Sequence, residues 1–166
     1  PTVNKENMQK AIDWATSSGS ALYVEPTEKP YPIDGGIILK KNVSLIGANG
    51  PTPRGTVHPI EKHPVGSVFK ISDRDHVFIT VESGTQIKAI QFWYPEQTLT
   101  DPHAIIPYPA TIQTSKTNNT QGVYLSCLTF YGEYLAIDFN ASSNNPCELM
   151  IFEHCYGYPL SGEFIQ

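Results

Sequence analysis

The stretch GIILKKNVSLIGANG, residues 36–50, holds two short apolar segments separated by only Lys40, Lys41 and Asn42. Such a gap has no room for a helix and lacks the Asn-Gly or Asp-Gly pair that would fold the segments into a hairpin. Two strands in tandem that do not pair with each other are typical of a solenoid, where each strand pairs with the turns of chain above and below. We therefore predict strand, corner and strand, with Leu45 facing inward.

Short apolar segments bounded by Gly, Pro, Asn or Ser predict further strands along the chain. They are ALYVEP (21–26), SVFKI (67–71), VFITV (77–81), IKAIQFWY (87–94), ATIQT (110–114), GVYLSCLTFYG (122–132), YLAIDF (134–139), ELMIFEHCYG (148–157) and GEFIQ (162–166). So many short strands leave two architectures, a sandwich of hairpins or a solenoid. A repeat favours the solenoid: residues 125–139 overlay on residues 150–164, with Leu125 over Met150 and Tyr131-Gly132 over Tyr156-Gly157.

The segment NKENMQKAIDWATSSG, residues 4–19, predicts the one helix, with Asn4 as its N-cap and Gly19 as its C-terminal stop. Met8, Ile12 and Ala15 form an apolar stripe at helical spacing. We expect residues 1–19 to cover the open end of the solenoid, and residues 20–166 to form its early coils.

Composition sets loose limits on function. The chain has 166 residues, enough for one domain with a core, and its net charge of −5 argues against a nucleic-acid partner. No apolar run is long enough for membrane insertion. Cys127, Cys147 and Cys155 fit neither a disulfide framework nor a zinc site, so no metal or cofactor is predicted. The abrupt start and the apolar end GEFIQ indicate a part of a longer chain.

The stretch MQKAIDWATSSGSALYVEPTEKPYPIDGGIILKKNVSLIGANG, residues 8–50, resembles the N-terminal part of the pectate-lyase-like superfamily. The matching positions are Ala21, Tyr23, Val24 and Pro26, then Tyr31 and Ile33, then Leu45, Ile46 and Gly47. The resemblance implies an all-β, right-handed parallel β-helix with an N-terminal amphipathic capping helix, as in phage tailspike depolymerases and bacterial polysaccharide-degrading enzymes. The family's Gly-Asp-rich segment before the helix is missing here. Because this fold carries many activities, the resemblance indicates fold more strongly than chemistry.

Three groups of residues are candidates for ligand contact. The first is Asp73, Arg74 and Asp75 in SDRDHVF, which we interpret either as a solvated turn with local ion pairs or as a saccharide contact. The second is FWYPEQ, where alternation places Tyr94 near the core and Trp93 outward, beside Glu96 and Gln97.

The third group is Asp101 and His103, in the proline-rich loop that follows. Together the groups predict a sugar-binding face, with an apolar plate for the ring and polar groups for its hydroxyls. The predicted function is carbohydrate-directed: part of a polysaccharide-degrading glycoside hydrolase or lyase, extracellular or on a virion surface, with a polysaccharide or oligosaccharide as partner.

The alternative is a non-catalytic structural or receptor-binding β-helix of a virion fibre or adhesin. The sequence shows no convincing carboxylate pair, so catalytic residues are unassigned. The tailspike resemblance also implies a homotrimer.

Overall fold

The computed structural model describes residues 1–48, 64–98, 100–139 and 145–166. In this part of the chain a helix, α1 (Thr2–Ser18), is followed by thirteen short strands. The strands are β1 (Leu22–Tyr23), β2 (Tyr31–Pro32), β3 (Ile37–Leu39), β4 (Ser44–Ile46), β5 (Val68–Lys70), β6 (Ile79–Val81), β7 (Gln86–Lys88), β8 (Gln91–Trp93), β9 (Ile112–Thr114), β10 (Thr120–Ser126), β11 (Thr129–Tyr131), β12 (Ile137–Asp138) and β13 (Cys147–Glu153). A short 3-10 helix, Pro102–Ala104, lies between β8 and β9.

Each strand pairs with the strand three places later, and this builds three parallel sheets. Sheet I has the order β1-β4-β7-β10-β13, sheet II has β2-β5-β8-β11, and sheet III has β3-β6-β9-β12. One coil of chain therefore visits the three sheets in turn: β1 to β3 form the first coil, β4 to β6 the second, β7 to β9 the third and β10 to β12 the fourth. A fifth coil begins with β13. This arrangement is consistent with a parallel β-helix.

The opening stretch behaves as predicted. β3 pairs with β6 in sheet III, whereas β4 pairs with β1 and β7 in sheet I, so the two tandem strands do not pair with each other. Leu39 and Leu45 are buried on either side of the corner. Asn42 turns the corner with φ of 61°, a left-handed conformation that Asn tolerates better than most residues.

A second corner divides three segments that the sequence presents as single strands. Ala89, Cys127 and His154 each have positive φ directly after a strand of sheet I, so IKAIQFWY, GVYLSCLTFYG and ELMIFEHCYG each turn there. The prediction of one continuous strand was wrong in each case, because none of these corner residues is Gly, Asn or Pro. Strict alternation across 87–94 is interrupted at Ala89, and Ile87 and Phe92 are therefore both buried, although they belong to different sheets.

The predicted overlay of the last two coils was also wrong in register. Leu125 pairs with Phe152 and Val123 pairs with Met150, while Thr129 forms a bridge with Tyr156. The backbone ladder aligns the Cys127 corner with the His154 corner, since the Cys127 N–H donates to the Glu153 carbonyl at 2.9 Å. The positive-φ corners therefore set the register between the fourth and fifth coils. The two Tyr-Gly pairs, which the sequence overlay aligned, are not in register.

The helix α1 covers the first coil. Ile12 and Ala15 are fully buried and Met8 is half-buried, as the stripe predicts. Gly19 ends the helix with φ of 68°, also as predicted. The Asn4 cap was wrong: the helix begins at Thr2, and the Asn4 side chain instead donates to the Pro32 carbonyl at 2.7 Å.

Phenylalanine rings are stacked through the core along sheet II. Phe69, Phe92 and Phe130 occupy matching positions in successive coils, with ring centroids 6.2 Å and 5.0 Å apart. Alternation turns the flanking residues to the other side of sheet II, where only Lys70 and Trp93 are part-exposed among the flanking positions.

Candidate functional site

Two of the predicted groups lie at one corner of the solenoid, where the chain passes from sheet II to sheet III. We call it the II–III corner. It comprises residues 33–36, 71–78, 94–111 and 132–136, one connection from each of the first four coils. SDRDHVF of the second coil therefore lies directly beside the start of the 95–109 loop of the third coil. The two segments are about twenty residues apart in the sequence, so the sequence alone does not show this contact.

An ion pair joins these two groups. The Arg74 guanidinium donates to the Glu96 carboxylate at 2.7 Å, and the two side chains are 54% and 44% exposed. Each charge stabilises the other: the hydrogen bond from Arg74 lowers the pKa of Glu96, and the same bond raises the pKa of Arg74. Glu96 is therefore ionised and can accept hydrogen bonds from a ligand, but it is a poor proton donor.

Asp73 anchors the corner. Its carboxylate accepts hydrogen bonds from the backbone N–H of Gly35 at 3.0 Å and of Asp75 at 2.9 Å, and it lies 3.0 Å from His76 Nδ1. Partial burial alone would raise the pKa of Asp73, but the hydrogen bonds from Asp75, His76 and Gly35 outweigh it and the pKa is lowered. With its oxygens engaged, Asp73 holds the second coil to the first.

The floor of this corner is a shallow depression of about 500 Å³, lined by Asp34 and residues 72–76. Asp75 and His76 are exposed at its rim. A second concavity of about 400 Å³ lies between α1 and the first coil, and it is mainly apolar. Residues such as Met8, Tyr31 and Phe69 line it, whereas the predicted site residues do not.

Trp93 lies outward on sheet II, as alternation predicts. It is half-buried, with its indole Nε1 shielded from solvent, and it stands in register between Lys70 of the second coil and Tyr131 of the fourth. The Lys70 ammonium is 5.8 Å from the centroid of the Trp93 ring, within the range of a cation–π contact. Tyr94 is buried behind it, where its hydroxyl is 2.7 Å from Thr111 Oγ1.

Gln97 supports the loop instead of facing solvent. It is 8% exposed, and its amide both donates to the Ile106 carbonyl at 2.9 Å and accepts from the Ile106 N–H at 2.7 Å. In this conformation the Gln97 amide predicted to bind sugar hydroxyls is used within the loop. These two bonds tie Gln97 to Ile106 across the loop.

Asp101 and His103 lie at the tip of the same loop. Both side chains are exposed, and Asp101 caps the 3-10 helix by accepting from the His103 N–H at 2.8 Å. The structure thus brings Asp73, Arg74 and Glu96 together, places Trp93 at the end of the adjacent strand, and leaves Asp101 and His103 as exposed residues of the loop.

Sequence reasoning missed the most perturbed acid among the described residues. Glu133, at the II–III corner of the fourth coil, is fully buried, and burial raises its pKa to about 8. In the sequence it is a single acid within YGEYL, with no second acid nearby to mark it. Its burial comes from the coil that stacks on it, which local pattern does not reveal.

The described ranges contain no group of three or more His, Cys, Asp or Glu side chains placed to hold a metal ion. The three cysteines are unbridged and half-buried. Over those same ranges, no helix has the length and apolar character needed to cross a membrane.

Comparison with family models, with curated proteins and with solved structures finds no match for this chain. The resemblance to the pectate-lyase-like superfamily therefore stays a prediction that rests on the quoted residues.

Proposed function

We propose that this chain is a carbohydrate-binding parallel β-helix whose binding surface is centred on Trp93. The observation that carries the proposal is the position of Trp93, an outward aromatic ring on a rigid sheet, in register between Lys70 and Tyr131. An indole face offers an apolar plate for a sugar ring, and the ionised Arg74–Glu96 pair at the adjacent corner offers donors and acceptors for hydroxyl groups.

The geometry favours binding over catalysis in the described part of the chain. A glycosidase needs one carboxylic acid that keeps its proton at working pH. The pKa values of Asp73 and Glu96 are both lowered, so both are ionised. Glu133 has the raised pKa that such an acid needs, but it is fully buried and out of reach of a polysaccharide.

We further propose a right-handed coil, membership of the pectate-lyase-like superfamily, and an extracellular or virion-surface location as a homotrimer. Three parallel sheets behind an N-terminal helix support the first two of these, since the resemblance implies that architecture. Within the family, a tailspike-like or secreted polysaccharide hydrolase or lyase would need its catalytic carboxylates outside the described residues. A fibre or adhesin that only binds carbohydrate needs no catalytic carboxylates. The ionised acids at the II–III corner favour this binding-only function.

Titration calorimetry with a panel of oligosaccharides tests the proposed surface. Trp93→Ala should weaken binding by roughly 1–3 kcal/mol, the range of ring stacking on an aromatic side chain, whereas Trp93→Phe should retain part of the affinity. Lys116→Ala is the control, because Lys116 is exposed between β9 and β10, at a different corner. Normal binding by Trp93→Ala with a lowered melting temperature would identify Trp93 as a packing residue and refute the proposal.

A further inference from the structure

Glu133 is buried where the fifth coil packs on the fourth. Its side chain has no solvent exposure, and neither carboxyl oxygen has a hydrogen-bond partner of good geometry. The nearest donors are the backbone N–H groups of Glu133 itself and of Tyr158, and they offset only part of the cost of burial. An acid in this setting is stable as the neutral form, since an ionised carboxylate without partners is costly to bury.

The groups that face Glu133 offer no compensating charge. Electrostatic interactions couple it to Tyr94, which follows β8, and to Tyr156, in the fifth coil. Tyr158 approaches through its backbone and also interacts with Tyr156. Among the described residues, no cation contributes to the Glu133 pKa. Apart from the backbone N–H groups of Glu133 and Tyr158, no described group favours ionisation at this position.

The fifth coil lies directly against this carboxyl group. A Cβ added to Gly157 would be 2.3 Å from Glu133 Oε1 and 2.9 Å from Phe164 Cε2, so a larger residue there would have to displace these side chains. Seven backbone hydrogen bonds hold the same segment to the fourth coil, and two of them lie at Glu133: the Leu160 N–H donates to the Glu133 carbonyl at 3.1 Å and the Ser161 N–H to the Tyr134 carbonyl at 2.9 Å. Beyond β13, its strand pairing with the fourth coil is limited to isolated bridges in the described residues. No side chain of residues 155–166 is fully buried, and segments that bury little surface open most readily.

We propose that Glu133 is a proton-dependent latch: the neutral carboxyl group allows residues 155–166 to close over the fourth coil, and loss of its proton to solvent releases them. The device is independent of the proposed sugar site, since Trp93 and Arg74 belong to earlier coils.

The sign of the effect follows from linkage. The pKa of Glu133 is about 8 in the closed form and returns to its ordinary value of 4.5 when the segment opens. The closed form thus binds the proton more tightly, and closure is lost as the pH rises towards 8. Between pH 6 and pH 9 the open population should rise on the order of 100-fold.

Limited proteolysis of the 166-residue chain measures this opening, with cleavage inside residues 155–166 followed by mass spectrometry. The rate for the unsubstituted protein is divided by that for Glu133→Gln at each pH, which cancels the pH dependence of the protease. This ratio should rise on the order of 100-fold from pH 6 to pH 9. Glu163→Gln, an exposed acid in the same segment, is the matched control and should behave as the unsubstituted protein. Glu133→Met is a second uncharged variant, should the Gln variant fail to fold.

Carbon-13 NMR of the side-chain carboxyl groups gives an independent readout. One signal that is absent from Glu133→Gln should titrate near pH 8. The latch is refuted if that signal titrates at the ordinary value, or if the cleavage ratio stays flat. It is also refuted if residues 22–46 are cleaved as fast as residues 155–166 at pH 9, because that outcome means global unfolding.

Discussion

The first and the last described coils bury their apolar residues to different degrees. At the first coil Ile33, Ile37 and Leu39 are at most 2% exposed. At the fifth coil Met150 and Phe152 remain half-exposed, although they stand in register with the fully covered Val123 and Leu125. The same strand pattern therefore gives different burial in the two coils. In this fold, the core residues of a coil become buried only when another layer packs against them.

The first coil also has its strand edges satisfied by side chains of α1. The Gln9 amide accepts from the Ile38 N–H at 2.9 Å and donates to the Ile38 carbonyl at 3.1 Å, in the manner of a neighbouring strand. The Asn4 side-chain amide likewise donates a hydrogen bond to the Pro32 carbonyl. Within the described residues no strand pairs with the outer edge of β13, which is seven residues long. Covering an open end therefore needs polar contacts to the edge as well as apolar contacts to the core.

The largest expected effect comes from removing the cover of the first coil. Ile12→Asp places a charge at a fully buried position of α1 without a cationic partner, and it should lower the free energy of unfolding by about 4 kcal/mol or prevent soluble folding. Urea unfolding measures the loss. Val3→Asp is the control on the same helix, because Val3 is 67% exposed. Equal stability of the two variants would show that α1 does not cover the core.

The covered end is also the part that the sequence predicted best. Ile12 and Ala15 at helical spacing, Gly19 as the stop, and Leu39 and Leu45 around a short polar corner are all local signals. The Asn42 corner could be identified because Asn tolerates positive φ. The Ala89, Cys127 and His154 corners could not, since no residue type marks them and only the stacking of successive coils holds them in that conformation.

At the other end, packing depends on a proton. Because the pKa of Glu133 is raised to about 8 on folding, the stability that its neutral form contributes is complete below pH 4.5 and is lost between about pH 4.5 and 8. The free energy of unfolding should fall by roughly 1.4 kcal/mol per pH unit across that window from this group alone. Glu133→Gln should therefore be more stable than the unsubstituted protein by roughly 3 kcal/mol at pH 7, and about equal to it at pH 4.

Urea unfolding over pH 4 to 9 measures that difference, with Glu163→Gln as the exposed control. A constant difference between Glu133→Gln and the unsubstituted protein across this range would contradict the raised pKa.

The candidate site was predictable in its parts but not in its assembly. The outward direction of Trp93 and the inward direction of Tyr94 follow from alternation along β8 and the residue after it. The contact between Arg74 and Glu96 depends on coil length, which the insertion between β8 and β9 conceals. The inward-facing amide of Gln97 depends on how its loop closes, and the burial of Glu133 depends on the fifth coil. Each of these is a contact between coils or within a long loop, where sequence periodicity carries no information.

The smallest expected effect concerns strain in the fifth coil. Asn42, Gly84, Gly122 and Leu149 occupy corresponding corner positions in successive coils, and all have positive φ. Leu149 is the one bulky residue of the four, with φ of 56°, and its side chain is 77% exposed, so it gains little from packing. Leu149→Gly should raise the free energy of unfolding by about 1 kcal/mol, because glycine adopts this conformation without the steric cost that a side chain imposes.

Ile151→Gly is the matched control for that substitution. Ile151 is also exposed and lies two positions along β13, but it pairs with Tyr124 in ordinary strand conformation, so glycine there should lower stability by about 1 kcal/mol. Opposite shifts of the urea midpoint in the two variants would show that the fifth coil is strained at Leu149. Equal losses in both would mean that the fifth coil tolerates the left-handed leucine without cost. The first and fifth coils would then differ only in whether another layer packs against them, and backbone strain would make no contribution.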